Sequence, residues 1–72
     1  MKELGKIIHV SRSGLLILRS NQAPKIGQKL HDGSSKIIGV VVDVFGPVSS
    51  PYISIKPWIK RPENRVGSAV YD

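Results

Sequence analysis

The segment GVVVDVFGPVSSPYISIKP, residues 39–57, determines the fold of this chain more than any other. Two runs rich in β-branched residues, which favour strands, flank Phe45-Gly46-Pro47 and a short polar turn. Between Ile37 and Ile55 the only charged residue is Asp43, although the chain carries a formal net charge of +6. The segment therefore predicts two paired strands joined by an uncharged loop. Exposed loops that hold aromatic rings and prolines commonly contact a partner.

Turn residues recur about every 8–12 positions along the rest of the chain, which is the spacing of a small all-β domain. The predicted strands are residues 4–10, 15–19, 26–31, 36–45, 52–56 and 67–71. Gly14 can supply a positive φ in the first turn, and Asp32-Gly33 predicts a tight turn. Residues 58–65 are predicted to be irregular because Pro57 and Pro62 disfavour helix interiors and central strands. We predict no helix.

Closure of the sheet removes exposed strand edges, which suits a chain of only 72 residues. We therefore predict that residues 1–72 form one all-β domain, a closed six-stranded β-barrel. Consecutive apolar residues in the second and fourth strands predict apolar side chains on both faces, and the outward ones are typical of an interface. Strict alternation along the fourth strand gives two faces: Val40, Val42 and Val44 on one, and Val41, Asp43 and Phe45 on the other.

The composition argues against an enzyme, a metal site and a cofactor. The chain has no cysteine, which excludes disulfides and thiolate ligands and favours a reducing cytoplasm. His9 and His31 lack metal-ligand spacing, and the chain has no nucleophile elbow, no nucleotide-binding glycine pattern and no paired carboxylates. No apolar run approaches the roughly 20 residues of a membrane span. We expect no catalytic residues, no bound metal and no cofactor.

Most basic residues are scattered along the chain, but one denser cluster exists. It consists of Lys56, Lys60, Arg61 and Arg65, offset by Glu63. This basic cluster is a candidate RNA-facing surface, and the alternative is an ordinary solvated face.

Two further residues have open interpretations. Trp58 either covers one end of the barrel or contacts a partner. Asp43 is either a hydrogen-bond acceptor at an interface or the acceptor for backbone amides of the Phe45-Gly46 turn.

The motif that runs from Asp43 to Val48, followed by Pro51-Tyr52, resembles the archaeal form of the Gar-one family, the small basic barrel subunits of H/ACA ribonucleoprotein particles. The resemblance covers nearly the whole chain, from Leu4-Gly5-Lys6 to Val66-Gly67 and Tyr71. The pattern Gly-x-Val-x-Asp-x-Phe-Gly-Pro with a following Pro-Tyr is specific, whereas Gly-x-Val-x-Asp alone is not.

The resemblance implies a barrel similar to the second domain of translation elongation factors and a role without catalysis. In that family the barrel binds the catalytic pseudouridine synthase subunit of the particle directly. It tunes substrate loading and product release during guide-RNA-directed pseudouridylation of ribosomal RNA. The guide RNA, a small zinc-containing subunit and a kink-turn-binding protein are indirect partners. An archaeal member is expected in the cytoplasm.

Carried over to this chain, the resemblance implies a docking surface. Its residues are Asp43, Val44, Phe45, Gly46, Pro47, Val48, Pro51 and Tyr52. Aromatic and proline side chains lose little entropy on binding and suit this role, although Phe45 and Tyr52 could instead belong to the core. Two other functions stay open. The charge indicates direct RNA binding by an OB-like barrel, and the Gly-x-Val-x-Asp-Val pattern is also found in PRC-type barrels.

Overall fold

The computed structural model describes residues 2–72 and forms a closed antiparallel β-barrel. The strands are β1 (Glu3–Val10), β2 (Leu16–Arg19), β3 (Lys29–His31), β4 (Ile37–Phe45), β5 (Tyr52–Pro57) and β6 (Ala69–Tyr71). Their order around the barrel is β1-β2-β5-β4-β3-β6, and the pair His31–Tyr71 joins β3 to β6. The predicted closed six-stranded barrel is therefore confirmed.

Two strands begin two or three residues later than predicted, in both cases because a glycine with positive φ precedes them. β3 begins at Lys29 rather than residue 26, since Gly27 has a φ of 89°. β6 begins at Ala69 rather than residue 67, since Gly67 has a φ of 90°. The segment predicted to be irregular contains one short 3-10 helix, Pro62–Arg65. Proline suits the first turn of such a helix because the N–H that proline lacks would have no hydrogen-bond acceptor within the helix there.

The barrel interior is filled by aliphatic side chains from all six strands. The buried core residues are Leu4, Ile7, Leu16, Leu18, Leu30, Ile38, Val41, Ile53, Ile55 and Val70. No aromatic ring belongs to this cluster, so Phe45 and Tyr52 do not form the core. Aliphatic packing alone fills the small interior, which leaves the aromatic residues available on the outer face.

The predicted alternation along β4 is wrong beyond Val41, because a β-bulge interrupts it. Val41 pairs with Ile55 and Asp43 pairs with Ser54, so that Val42 has no counterpart on β5. An extra residue in one strand shifts all later side chains by one position. Val41 therefore points into the core, whereas Phe45, predicted on the same face, is 45% exposed on the outside.

A close approach of β4 to β5 requires glycine at position 39. A Cβ built on Gly39 would collide with the carbonyl oxygen of Lys56 and lie 2.7 Å from Cγ2 of Ile55. Gly39 is paired with Pro57 in the register of these strands. Because backbone atoms cannot move aside as a flexible side chain does, a larger residue must separate the two strands.

We predict that Gly39→Ala destabilises the fold by about 1–3 kcal/mol, the usual cost of overpacking. Urea denaturation followed by circular dichroism measures the change. Gly33→Ala is the matched control, because its Cβ would meet only the Tyr71 ring, at 3.8 Å, and should change stability little. Equal effects of the two substitutions would contradict the steric explanation.

Candidate docking surface on the outer face

A row of three side chains crosses the outside of the barrel. Arg19 of β2 pairs with Tyr52 of β5, which pairs with Phe45 of β4. The Phe45 and Tyr52 rings are stacked, with centroids 5.5 Å apart and an interplanar angle of 21°. The Arg19 guanidinium carbon lies 5.7 Å from the Tyr52 ring centroid, within the range of a cation–π contact. The row is therefore ordered by contacts within the chain before any partner binds.

The β4–β5 loop, residues 46–51, is shaped by its own backbone and by this row. Gly46 has a φ of 93°, and a Cβ there would lie 3.0 Å from the Tyr52 ring. The Ser50 amide donates to the Pro47 carbonyl at 3.2 Å, which closes a turn. The Arg19 Nε donates to Ser50 Oγ at 2.7 Å, which fixes the loop against β2. The loop presents Val48, 98% exposed, at its tip.

An apolar groove runs beside the row. Its volume is about 490 Å3, and it is lined by Ile8, His9, Ser11, Ile17, Phe45 and Tyr52. Ile17 pairs with the outward residues His9 and Ser54, yet neighbouring side chains shield it almost completely. Apolar residues that point outward on adjacent strands therefore form one continuous surface. This is the surplus apolar area that the sequence predicted for the second strand.

The structure brings most of the predicted docking residues to this side of the barrel. Phe45, Gly46, Pro47 and Val48 are exposed, and Tyr52 is half-buried beneath its neighbours. The remaining members have other surroundings: Val44 packs partly against the core and Pro51 is buried. The Pro51 carbonyl accepts a hydrogen bond from the Ser20 amide at 2.9 Å, so this residue positions the loop.

Asp43 does not bond the amides of the Phe45-Gly46 turn. Its Oδ1 accepts a hydrogen bond from the amide of Val44 at 2.9 Å, next to the bulge. The side chain is exposed and has no basic partner within residues 2–72. Asp43 pairs with Ser54, and Ser54 pairs with the groove residue Ile17, so Asp43 lies on the same outer face as the groove.

Sequence reasoning did not single out Ile8, His9 and Ile17 as members of this surface, nor Val42 as an exposed residue. Ile8 is 46% exposed because β1 has its own bulge between Ile7 and His9, opposite β2. Val42 is exposed because it is the extra residue of the β4 bulge. Consecutive isoleucines and valines were the only signal in the sequence, and that signal does not say where pairing shifts.

The predicted basic cluster is not a single set of free cations. Lys56, Lys60 and Arg61 are exposed. Arg65 instead forms an ion pair with Asp32, with Nη1 and Oδ2 3.1 Å apart. Trp58 is 54% exposed, and its ring centroid lies 5.9 Å from the Nζ of Lys29.

Within residues 2–72, no three histidine or acidic side chains are grouped as metal ligands would be. No helix in that described part of the chain is long and apolar enough to cross a membrane.

A family model for the Gar1/Naf1 RNA binding region matches residues 1–71. The chain belongs to the Gar1/Naf1 family. The resemblance seen in the Asp43–Val48 motif is thereby confirmed.

Three proteins similar to this Gar1/Naf1 chain show how much of its length the likeness covers. An uncharacterised protein of Methanothermobacter thermautotrophicus is 45% identical over 75 residues, which cover 99% of this chain and 82% of the relative. An uncharacterised protein of Methanocaldococcus jannaschii is 46% identical over 52 residues, which cover 72% and 63%. The H/ACA ribonucleoprotein complex subunit GAR1 of Encephalitozoon cuniculi is 38% identical over 56 residues, which cover 76% of this chain but 31% of that protein.

In this Gar1/Naf1 barrel, Asp32 organises the β3–β4 turn and ties it to the 3-10 helix. Its Oδ1 accepts hydrogen bonds from the amides of Ser34 at 2.8 Å and Lys36 at 3.0 Å, while Oδ2 contacts Arg65. The Lys36 amide lowers the pKa of Asp32 below its ordinary value of 3.8, and the Ser34 amide and Arg65 act in the same direction against partial burial. The turn predicted at Asp32-Gly33 is present, since the Ser35 amide donates to the Asp32 carbonyl at 3.1 Å, and the positive φ is that of Ser35.

We predict that Asp32→Asn destabilises the barrel at pH 7 and has a smaller effect in acid. The folded state binds the proton of Asp32 less tightly than the unfolded chain does, so the carboxylate stabilises the fold above pH ~4. That contribution is lost as the pH falls through the lowered pKa. Urea midpoints of both proteins between pH 7 and pH 2.5 measure the difference.

Asp43→Asn is the control, because this exposed carboxylate bonds only the adjacent amide. Its urea midpoint at pH 7 should be close to that of the parent protein. An Asp32→Asn effect that is constant over the whole range would mean that ionisation is not the cause.

Proposed function

We propose that this chain is a non-catalytic subunit of an H/ACA ribonucleoprotein and docks onto the pseudouridine synthase subunit of that particle. Membership of the Gar1/Naf1 family and the likeness to a GAR1 subunit support a place in such a particle. The stacked Phe45–Tyr52 row beside an apolar groove is the observation that carries the docking proposal.

The composition of the surface favours a protein partner over a nucleic acid. The residues that line the groove include no lysine, arginine, aspartate or glutamate, and Arg19 lies at one end beside Tyr52. Interface centres are depleted in charge and enriched in aromatic rings, whereas RNA surfaces need cations for phosphates. Because Arg19, Tyr52 and Phe45 already hold each other, little side-chain entropy is lost on binding.

The docking residues fall into two groups by exposure. Phe45, Pro47, Val48 and Tyr52 contact the synthase, while Val44 and Pro51 support them from beneath. Gly46 permits the tight packing of the loop against Tyr52.

Bound to the synthase, the barrel tunes substrate loading and product release in guide-RNA-directed pseudouridylation of ribosomal RNA. The chain contributes no catalytic group to this reaction. The guide RNA, the zinc-containing subunit and the kink-turn-binding protein meet it only within the assembled particle. Assembly in the cytoplasm, a single domain over residues 1–72 and a likeness to the second domain of elongation factors are further parts of this proposal.

Direct RNA binding is the second candidate function. It is supported by the matching family model, which describes an RNA binding region, and by the net charge of +6. A PRC-type barrel has no comparable support, because the family model that matches residues 1–71 is a different one.

We predict that the double variant Phe45→Ala/Tyr52→Ala binds the synthase subunit about 2–4 kcal/mol more weakly than the parent, as expected for anchor residues in a hot spot. Isothermal titration calorimetry without RNA measures the affinity. The matched control is Ile26→Ala/Val66→Ala, which removes two exposed apolar side chains outside the groove and loop. Unchanged affinity in a folded Phe45/Tyr52 variant would contradict docking through this surface.

We also expect the chain to raise the multiple-turnover rate of a reconstituted particle more than the single-turnover rate. Product release contributes to the multiple-turnover rate and not to the single-turnover rate. The Phe45→Ala/Tyr52→Ala variant should lose the stimulation at concentrations below its dissociation constant. Equal stimulation of both rates would show that the chain acts before product release.

A further inference from the structure

A second surface lies on the outer face of β3, β4 and β5, away from the apolar groove. Lys29 pairs with Val40, and Val40 pairs with Lys56, so these side chains form a row across three strands. Side chains directly opposite one another in adjacent strands share a face. Two lysines therefore flank an aliphatic residue on one stretch of sheet.

Trp58 completes this surface. It follows the last residue of β5, and its amide donates to the Ile38 carbonyl at 2.8 Å, which continues the pairing of β5 with β4. The Lys29 ammonium lies 5.9 Å from the ring centroid, yet the residue is still 54% exposed. We call Lys29, Val40, Lys56 and Trp58 the Trp58 patch.

The cations of the Trp58 patch are not neutralised by the protein. Among residues 2–72 the one ion pair joins Arg65 to Asp32, and no carboxylate lies within 4.0 Å of the ammonium groups of Lys29 or Lys56. Lys60, also exposed and unpaired in that part of the chain, follows Trp58 by two residues. An aromatic face beside unpaired lysines combines a surface for base stacking with positive charges for phosphates.

We propose that the Trp58 patch binds single-stranded RNA, with one base stacked on the indole and the flanking phosphates at Lys29 and Lys56. Charge complementarity selects this occupant over an apolar protein, since the chain carries a net charge of +6 and this patch contains no acidic residue. The proposal rests on the second candidate function, direct RNA binding, and assigns it to residues other than those of the Phe45–Tyr52 row. It also replaces the predicted basic cluster: Arg65 serves the Asp32 turn, while Trp58 and Lys29 join the RNA surface.

Trp58 is the only tryptophan in the sequence, so the tryptophan fluorescence of the protein reports on the Trp58 patch directly. Titration of the 72-residue protein with a 12-nucleotide oligouridine in 50 mM salt should quench the indole fluorescence. Trp58→Ala should weaken binding of the labelled oligonucleotide roughly tenfold, measured by fluorescence anisotropy, and Trp58→Phe should retain most of the affinity because a phenyl ring still stacks.

The salt dependence of RNA binding tests Lys29 and Lys56 separately from Trp58. Removing both phosphate contacts in Lys29→Ser/Lys56→Ser should reduce the slope of log K against log salt by about 1.4, since each contact on a single strand contributes about 0.7. The control is Lys2→Ser/Lys6→Ser, which removes the same charge near β1 and should leave the slope unchanged. Thermal unfolding confirms that each variant is folded.

The variants of each surface are also tested with the ligand of the other surface, which separates RNA binding at the Trp58 patch from docking to the synthase. Phe45→Ala/Tyr52→Ala should bind the oligonucleotide as the parent does, and Trp58→Ala should bind the synthase as the parent does. Three results would overturn the proposal: fluorescence unchanged by RNA up to about 100 μM, a folded Trp58→Ala that binds RNA with parental affinity, or an indole that responds to the synthase subunit but not to RNA. The last result would make the Trp58 patch a protein contact.

Discussion

The bulge in β4, where one residue has no partner on β5, determines which side chains lie on the outer surface of the barrel. Because Val42 has no counterpart on β5, the side chains before and after it follow opposite alternation. Val41 is thereby directed into the core and Phe45 to the outside, where it meets Tyr52. Without the extra residue, the same sequence would direct Phe45 inward, into an interior that aliphatic side chains already fill.

The bulge in β1 has a related effect on the other side of the groove. It exposes Ile8 next to Ile17, so that two interruptions on separate strands border one apolar surface. Neither bulge disturbs the core, since Ile7 remains buried just before the β1 bulge and Val41 just before the β4 bulge. Bulges are frequent near functional sites because they redirect side chains without disturbing the packing beneath them. Here they allow a chain of 72 residues to have both a sealed interior and an apolar exterior.

The sequence was sufficient to predict the barrel, the number of strands and the exposed Phe-Gly-Pro loop. These features follow from local signals, namely β-branched runs and the turn residues between them. It was insufficient to show that Phe45 and Val41 lie on opposite faces, since a bulge depends on the register between two strands rather than on either strand alone. The role of Arg65 was hidden for a similar reason: its partner Asp32 lies 33 residues away along the chain. Long-range pairings of this kind leave no trace in the spacing of a single sequence.

β5 connects the Phe45–Tyr52 row with the Trp58 patch, because Tyr52 begins the strand and Trp58 follows its end. Six steps of extended backbone, at about 3.3 Å each, separate the two residues by roughly 20 Å. Neighbours pair with β5 on both sides, so this separation is rigid. The two surfaces are thus kept at a fixed spacing. Two ligands that belong to one assembled particle bind these surfaces with an effective concentration that depends on how well their own separation matches this spacing.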